Sequence, residues 1–131
     1  MKITHVLLVE DHVALQVGIS DMIKLTLGHH VKVSVAGTVP EADILFEKHQ
    51  EDINIILLDT SLGRGVTTFE LTKCIRKRFN GLMLAISTDE DHRKVMVDDC
   101  GCDDECDKGN LFEYIERLKA GRLQLERVRV G

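Results

Sequence analysis

The sequence predicts an α/β fold in which five parallel strands form a doubly wound sheet with helices on both faces. Short apolar runs rich in Val, Ile and Leu alternate along the chain with segments of helical periodicity. This alternation favours parallel strands, because parallel neighbours need crossover connections, and these are nearly always right-handed. The chain has 131 residues, which suits one compact domain. We therefore expect a single three-layer sandwich built from five strand-helix units.

Four apolar runs have the length of a strand. They read HVLLVE (5–10), VKVSVAG (31–37), INIILLD (53–59) and LMLAIS (82–87). A fifth strand must come from the acidic stretch GCDDECDKGN (101–110). Acidic residues form strands poorly and are rarely buried unpaired. We expect this strand to be short, weakly held or exposed at the edge of the sheet.

The segments between these runs have the spacing of amphipathic helices. The apolar positions are Leu15, Ile19, Met22 and Ile23 in the first helix, and Leu71, Cys74, Ile75 and Phe79 in the third. The second helix begins at Thr38, a capping residue, with Pro40 and Glu41 in its first turn. The last helix begins at Asn110 and ends before Gly121.

The composition argues against several classes of partner. The formal net charge is −5 and the pI is about 5.6, so no overall positive field attracts nucleic acid or an anionic membrane. In the start, MKITHVLLVEDH, charged residues follow after only a few apolar ones, so the apolar run is too short for a signal peptide or a membrane span. We expect a cytoplasmic domain over residues 1–121, followed by a C-terminal tail or the start of a linker, RLQLERVRVG (122–131).

Three carboxylates stand where two of the predicted strands end. Glu10 and Asp11 close the first run and Asp59 closes the third. Ligands of an open α/β sheet bind outside the carboxyl ends of its strands, so we expect these groups to converge there. Their mutual repulsion raises the proton affinity of each unless a cation compensates. Mg²⁺ suits such a site, because it prefers oxygen ligands and tolerates carboxylates beside a phosphate.

Further polar groups follow the remaining strands. The hydroxyls of Ser87 and Thr88 follow the fourth strand, and the ammonium of Lys108 follows the fifth. Both kinds of group bind phosphoryl oxygens, the lysine as a point charge and the hydroxyl as a donor. The set therefore indicates phosphoryl chemistry.

The ordered set Glu10-Asp11, Asp59, Ser87 and Lys108 resembles the signature of the response-regulator receiver domain of two-component signalling. LLVEDH and IILLDTSLGRG are its most specific pieces, and the match runs from about Thr4 to Ala120. The resemblance implies a flavodoxin-like sheet with strand order 2-1-3-4-5. It also implies that Asp59 accepts a phosphoryl group from a phosphohistidine of a sensor histidine kinase or phosphotransfer protein.

The resemblance implies a role for each site residue. Mg²⁺ would be bound by Asp11 and Asp59 directly, by Glu10 through water, and by the backbone carbonyl of Ser61. Ser87, beside Thr88, would bind the phosphoryl group and move with it, and Lys108 would pair with it. The domain would be a switch that assists its own phosphoryl transfer and hydrolysis, not an enzyme. Its output would go to an attached domain, a partner protein or a second copy, through segments four and five.

The sequence departs from the family in its fifth segment. Glu105 stands where an aromatic residue is usual, Gly109 replaces a proline, and Asp107 precedes Lys108. We expect that aromatic coupling to Ser87 cannot operate, and that Asp107 pairs with Lys108 and weakens its hold on phosphate. Thr88 is bulkier than the usual residue and would narrow access to the site.

Other interpretations of the same residues stay open. The acids could merely cap helices, as Asp11 could for the first helix. An aspartyl-nucleophile phosphatase would need a second Asp where Ser61 stands, which argues against that class. A degenerate receiver would bind partners without phosphorylation.

The remaining cysteine, histidine and glycine signals favour structural roles. Soft metals would suit the thiols of Cys100, Cys102 and Cys106, but the spacing matches no common zinc framework and burial as small apolar residues is favoured. The histidines at 29, 30 and 92 are expected in solvated loops. Gly63 and Gly65 match no phosphate-binding loop and should serve a turn.

Overall fold

The computed structural model describes residues 2–121 and has the predicted α/β architecture. The strands are β1 (His5–Val9), β2 (Lys32–Ala36), β3 (Ile55–Asp59), β4 (Leu82–Ile86) and β5 (Asp104–Cys106). The helices are α1 (Val13–Leu27), α2 (Val39–His49), α3 (Phe69–Arg76), α4 (Glu90–Asp98) and α5 (Leu111–Lys119), with a 3₁₀ turn at Lys108–Asn110. The tail proposed at 122–131 lies outside the described residues.

All strand pairs are parallel and the sheet order is β2-β1-β3-β4-β5. This is the order that the resemblance implied. The chain reverses direction across the sheet at β1 and β3, which lie side by side with Val9 paired to Leu58. The carboxyl ends of these two strands therefore form the crevice in which such folds bind ligands.

Two apolar clusters, one on each face, hold the three layers together. Successive residues of a strand point to opposite faces, so Leu57 joins one cluster and Leu58 the other. The helices α1 and α5 cover the first face, while α2, α3 and α4 cover the second. Because β1, β3 and β4 are buried on both faces, their sequences are apolar except for His5 at the start of β1 and Asp59 at the end of β3.

The edge strand β5 has three residues and pairs with β4 through only three positions. This confirms the expectation of a short fifth strand. Its acidic side chains are paired with the flanking helices: Tyr114 of α5 donates to Asp104 at 3.0 Å, and Arg93 of α4 donates to Glu105 at 2.9 Å. Polar side-chain contacts with α4 and α5 thus supplement the short hydrogen-bonded pairing of β5 with β4.

Helix α3 differs in detail from its predicted pattern. The buried residues of the helix are Leu71, Thr72 and Ile75, whereas Cys74 is exposed. At about 100° per residue, Cys74 lies well away from the centre of that face. The helix ends at Arg76, so Phe79 is buried from the following turn, edge-on to Phe46.

The other helix boundaries agree with the sequence signals. Thr38 caps α2 by accepting from the backbone N–H of Glu41, as predicted. Asn110 precedes α5 as expected, but its side chain makes no capping hydrogen bond. Among residues 2–121, no helix has both the length and the apolar character needed to cross a bilayer.

Candidate functional site

The carboxylates of Glu10, Asp11 and Asp59 converge at the carboxyl edge of the sheet, as the sequence predicted. One oxygen from each lies within 4.8 Å of the others. The parallel pairing of β1 with β3 brings the ends of both strands side by side, and Glu10 extends β1 by donating its backbone N–H to Ala36 of β2 at 2.9 Å. The fold itself therefore assembles the acidic cluster.

Lys108 lies against two of these acids. Its Nζ atom is 2.8 Å from Oε1 of Glu10 and 2.9 Å from Oδ2 of Asp59. Burial lowers the pKa of Lys108, but hydrogen bonds and charge attraction from Glu10 and Asp59 outweigh it, so the pKa is raised. The three carboxylates outnumber the one ammonium, so these four groups together are negatively charged.

The three acids differ in exposure. Glu10 is fully buried, Asp59 is 5% exposed and Asp11 is exposed. Two hydrogen bonds fix Glu10 in place: its Oε2 accepts from the backbone N–H of His12 at 3.1 Å, and its backbone carbonyl accepts from the side-chain amide of Gln16 at 2.6 Å. Asp11 does not act as a cap, since the N-cap of α1 is His12 and its side chain makes no capping bond.

The loop after β3 is shaped by residues with positive φ. Gly63 (+57°), Arg64 (+43°) and Gly65 (+76°) adopt this conformation in succession, which confirms the predicted turn role of the two glycines. A Cβ atom at Gly63 would lie 3.3 Å from Oδ2 of Asp11. The small residue thus lets the loop pass close to the acidic cluster.

Two threonines that the sequence analysis did not single out support this loop. Thr68 donates from its hydroxyl to the carbonyl of Asp59 at 2.6 Å, and its backbone N–H donates to the carbonyl of Thr60 at 3.0 Å. Both threonines are fully buried. Thr60 directly follows the strand-end acid Asp59, which was the only signal in the sequence, and Thr68 had none.

Ser87 is 5% exposed at the end of β4, but its hydroxyl is bonded to other groups than the acids. It accepts from the hydroxyl of Thr60 at 2.9 Å and from the backbone N–H of Asp89 at 2.9 Å. Thr88 is exposed. The backbone N of Ser61 lies 3.5 Å from Oδ1 of Asp59, at the long limit of a hydrogen bond.

The expected pairing of Asp107 with Lys108 is wrong. The carboxylate of Asp107 accepts from the backbone N–H of Gly109 at 2.8 Å and lies 3.6 Å from Nη1 of Arg93. The 3₁₀ turn draws the Asp107 side chain into its own cap, while Lys108 reaches the acidic cluster. Lys108 therefore contacts the two buried acids without competition from its neighbour.

The cysteines do not form one cluster. Cys100 and Cys102 belong to the apolar cluster on one face of the sheet, and Cys106 belongs to the other. Burial, with smaller contributions from neighbouring acids, raises the pKa of Cys106 to about 11, and burial also raises that of Cys100. The expectation of buried apolar cysteines is confirmed, and within residues 2–121 the one group of potential metal ligands is the acidic cluster.

The histidines behave in two ways. His29 and His30 are exposed beside a turn, as expected. The expectation for His92 is wrong, because it lies within α4, where its ring packs edge-on to Phe69 with 5.4 Å between ring centroids. An aromatic neighbour distant in sequence was not apparent from the polar residues around it.

The donor set of the acidic cluster fits a hard divalent cation. It offers only carboxylate oxygens, one of them on an exposed side chain, and its net charge is negative. Hard cations such as Mg²⁺ and Ca²⁺ prefer such oxygens, whereas softer metals prefer nitrogen and sulfur. This cluster could therefore hold a metal ion.

Several solved structures with the same fold are those of response regulators or their receiver domains. Chemotaxis protein CheY4 of Vibrio cholerae matches with a TM-score of 0.73 and 20% identity, over 92% of this chain and 99% of that chain. A LuxR-family two-component response regulator from Aurantimonas matches with a TM-score of 0.74 and 22% identity, over 98% of this chain and 99% of that chain. A CheY-like receiver domain from Methanospirillum hungatei matches with a TM-score of 0.69 and 19% identity, over 92% of this chain and 96% of that chain.

These comparisons establish the class of fold. The chain has the flavodoxin-like fold of response-regulator receiver domains, with a cluster of acids at the carboxyl edge of its sheet. No protein-family model matches the sequence, and no curated protein matches it.

Proposed function

We propose that this chain is a receiver domain of a two-component system, which accepts a phosphoryl group on Asp59 and thereby switches a protein-interaction surface. The observation that carries the proposal is the contact of Lys108 with Asp59 and Glu10, next to Asp11, at the carboxyl edge of the sheet. A carboxylate paired with an ammonium and flanked by further acids has both a nucleophilic oxygen and a means to neutralise phosphoryl charge.

The proposed reaction is a direct transfer. A carboxylate oxygen of Asp59 attacks the phosphorus of a phosphohistidine, an O–P bond forms, the P–N bond breaks, and the imidazole leaves with the bonding electron pair. Such transfer passes through a loose transition state, so it depends on positioning and charge neutralisation. Lys108 supplies one positive charge beside the attacking group.

We propose Mg²⁺ as the cation of this site, held by Glu10, Asp11, Asp59 and the backbone carbonyl of Ser61. When bound, Mg²⁺ would neutralise charge on the transferring phosphoryl oxygens. The carboxylate of Glu10 accepts from the backbone N–H of His12, and this bond keeps it oriented before any ion arrives.

The hydroxyl of Ser87 is proposed to bind the phosphoryl group after transfer, with Thr88 at the entrance. Ser87 would donate its own hydroxyl hydrogen to a phosphoryl oxygen, and movement toward that group would break the bond that it accepts from Thr60. This movement is the local step of the switch. Phosphoryl donors would be a sensor histidine kinase or phosphotransfer protein. The output would reach an attached domain, a partner protein or a second copy through the surface of α4, β5 and α5.

The proposed unit covers residues 1–121 and works as a switch, not as an enzyme on a separate substrate. Its cytoplasmic location stays a prediction.

The test of the proposed function is the intact mass of the protein after incubation with Mg²⁺ and a small acyl phosphate. We expect one phosphoryl adduct that disappears in Asp59→Asn and in the presence of chelator. Asp21→Asn, which changes an exposed acid of α1, is the matched control and should keep the adduct.

The result that would contradict the proposal is equally defined. A protein that forms no adduct and binds no Mg²⁺ by titration calorimetry is an interaction module with the same fold that works without phosphorylation. An adduct that persists in Asp59→Asn would place the chemistry at another residue. Either outcome removes Asp59 as the phosphoacceptor.

A further inference from the structure

Arg93 of α4 joins three segments that surround the acidic cluster. Its Nη1 atom donates to the backbone carbonyl of Ser87 at 2.7 Å, and its Nε atom donates to Oε1 of Glu105 at 2.9 Å. The same Nη1 lies 3.6 Å from Oδ2 of Asp107. One guanidinium therefore holds the end of β4, the strand β5 and the turn after it.

The guanidinium is largely withdrawn from solvent. The Arg93 side chain is 12% exposed, compared with 34% for Glu105 and 41% for Asp107. Charge-assisted hydrogen bonds in such a place are stronger and screened less than those on an open surface. The planar fork of an arginine also fixes the direction of its bonds, which a lysine cannot do. The contact is therefore a directional link between the segments.

Two of the three partners adjoin groups that face the site. The backbone carbonyl of Ser87 accepts from the Arg93 guanidinium, and its hydroxyl accepts from Thr60. Asp107 is followed directly in the sequence by Lys108. A movement of Ser87 toward a phosphoryl group on Asp59 would therefore displace the carbonyl that accepts from Arg93. A movement of Lys108 would shift its neighbour Asp107, which forms an ion pair with Arg93 at 3.6 Å. Glu105, which Arg93 also holds, lies in the weakly paired edge strand β5.

We propose that Arg93 couples the acidic site to helix α4 and strand β5, because its guanidinium binds the Ser87 carbonyl and the Glu105 carboxylate together. This inference rests on the proposed function, since it names the link through which phosphorylation of Asp59 would reach the surface. Arg93 is a positioning residue: it contacts the backbone of Ser87 and none of the carboxylates of the acidic cluster in the described contacts.

The coupling has a physical requirement. Occupancy of the site can shift α4 only if it favours one arrangement of the Arg93 contacts over another. By reciprocity, removal of these contacts must also change how tightly the site binds a phosphoryl mimic. A residue that only stabilised the fold would change stability, but would leave the response of α4 to the mimic unchanged.

The test uses hydrogen exchange of the full chain, with and without Mg²⁺ and beryllofluoride, a non-covalent mimic of a phosphoryl group on a carboxylate. In the wild type we expect the mimic to change exchange in residues 60–68, in α4 and in β5. In Arg93→Gln the response of 60–68 should persist, while that of α4 and β5 falls by about threefold or more.

A charge-swapped variant separates coupling from stability. Arg93→Glu combined with Glu105→Arg keeps an ion pair between α4 and β5, but position 93 can no longer donate to the Ser87 carbonyl. We expect the basal exchange of α4 to approach that of the wild type, while its response to the mimic stays reduced. Arg78→Gln is the control, because Arg78 pairs with Asp43 and Glu47, away from the acidic cluster.

The outcomes separate the two claims. If residues 60–68 respond in every variant and α4 responds equally in the wild type and Arg93→Gln, the coupling role of Arg93 is overturned while the proposed function stands. If the charge-swapped variant shows the full response of α4, the link to Ser87 is not the one that matters. If the wild type does not respond even at 60–68, the proposed function fails and the coupling falls with it.

Discussion

The hydroxyl of Thr60 donates a hydrogen bond of 2.9 Å to the hydroxyl of Ser87, and both side chains are buried at the ends of neighbouring strands. This contact joins the residue after the proposed phosphoacceptor to the proposed phosphoryl ligand. It fixes the Ser87 hydroxyl in the resting state, and movement of Ser87 toward a phosphoryl group on Asp59 would break it.

The Thr60–Ser87 contact predicts a measurable coupling energy. Ser87→Ala removes the acceptor of two donors, Thr60 Oγ1 and the N–H of Asp89, and should lower the free energy of unfolding by about 1–2 kcal/mol. The addition of Thr60→Val to Ser87→Ala should cost less than Thr60→Val alone, with a coupling of about 1 kcal/mol in urea unfolding. Strict additivity of the two substitutions would show that the bond is energetically silent.

Lys108 predicts opposite effects on metal binding and on phosphorylation. In Lys108→Met the ammonium no longer repels a bound cation, so Mg²⁺ affinity by calorimetry should rise about threefold or more. The rate of adduct formation should fall by about tenfold or more, because the charge beside the transferring group is lost. Lys94→Met changes an exposed lysine of α4 and should alter neither quantity. Weaker Mg²⁺ binding in Lys108→Met would contradict the account.

A buried ion pair predicts a large loss of stability. Arg76 lies 3.2 Å from Oδ2 of Asp103, whose side chain is 3% exposed and also accepts from the N–H of Met83. Arg76→Met removes this ion pair at a buried carboxylate and should cost about 3 kcal/mol in urea unfolding. The exposed pairs of Arg78 provide the comparison, and Arg78→Met should cost less than about 1 kcal/mol. Equal losses of stability in Arg76→Met and Arg78→Met would refute the distinction between the buried ion pair and the exposed ones.

His5 predicts a loss of stability in mild acid. Burial, Lys32 and His49 lower the pKa of His5 below its usual 6.5, although Asp52 opposes them, and its ring bonds Ser34 at 2.7 Å. Because the folded-state pKa is lowered, this contribution is present above about pH 6.5 and is lost as the pH falls through the folded-state value. The unfolding midpoint should drop between about pH 7 and pH 5.

The control for this pH dependence is a pair of histidine variants. His5→Gln should flatten the pH dependence of the midpoint, while His29→Gln, which changes an exposed histidine, should leave it unchanged. An unaltered slope in His5→Gln would assign the effect to other groups.

The sequence was most informative about the positions of the strands and about the acidic residues at their ends. The run IILL (55–58) is apolar throughout because β3 is buried on both faces, so both the strand and Asp59 at its end were apparent. The convergence of Glu10 with Asp59 followed from the rule for parallel sheets, whereas the strand order came from the resemblance. Patterns of this kind report periodicity and termination, which are local properties.

The pairings of polar side chains were not predictable in the same way. The stretch from Gly101 to Lys108 contains several similar acids, and only the fold distinguishes Asp103, buried against Arg76, from Asp107, which caps its own turn and approaches Arg93. These partners are far apart in sequence and meet through side-chain rotamers and loop paths that no local pattern encodes. The same reason explains the missed roles of Thr60 and Arg93.

The central claim is that Asp59 is the residue that carries the phosphoryl group. Its most direct test is borohydride reduction of the protein after treatment with Mg²⁺ and acyl phosphate, followed by peptide mass spectrometry, because reduction converts an aspartyl phosphate to homoserine. The account predicts homoserine at position 59 and at no other aspartate. Homoserine elsewhere, or unmodified Asp59 in a protein that carries the phosphoryl adduct, would contradict it.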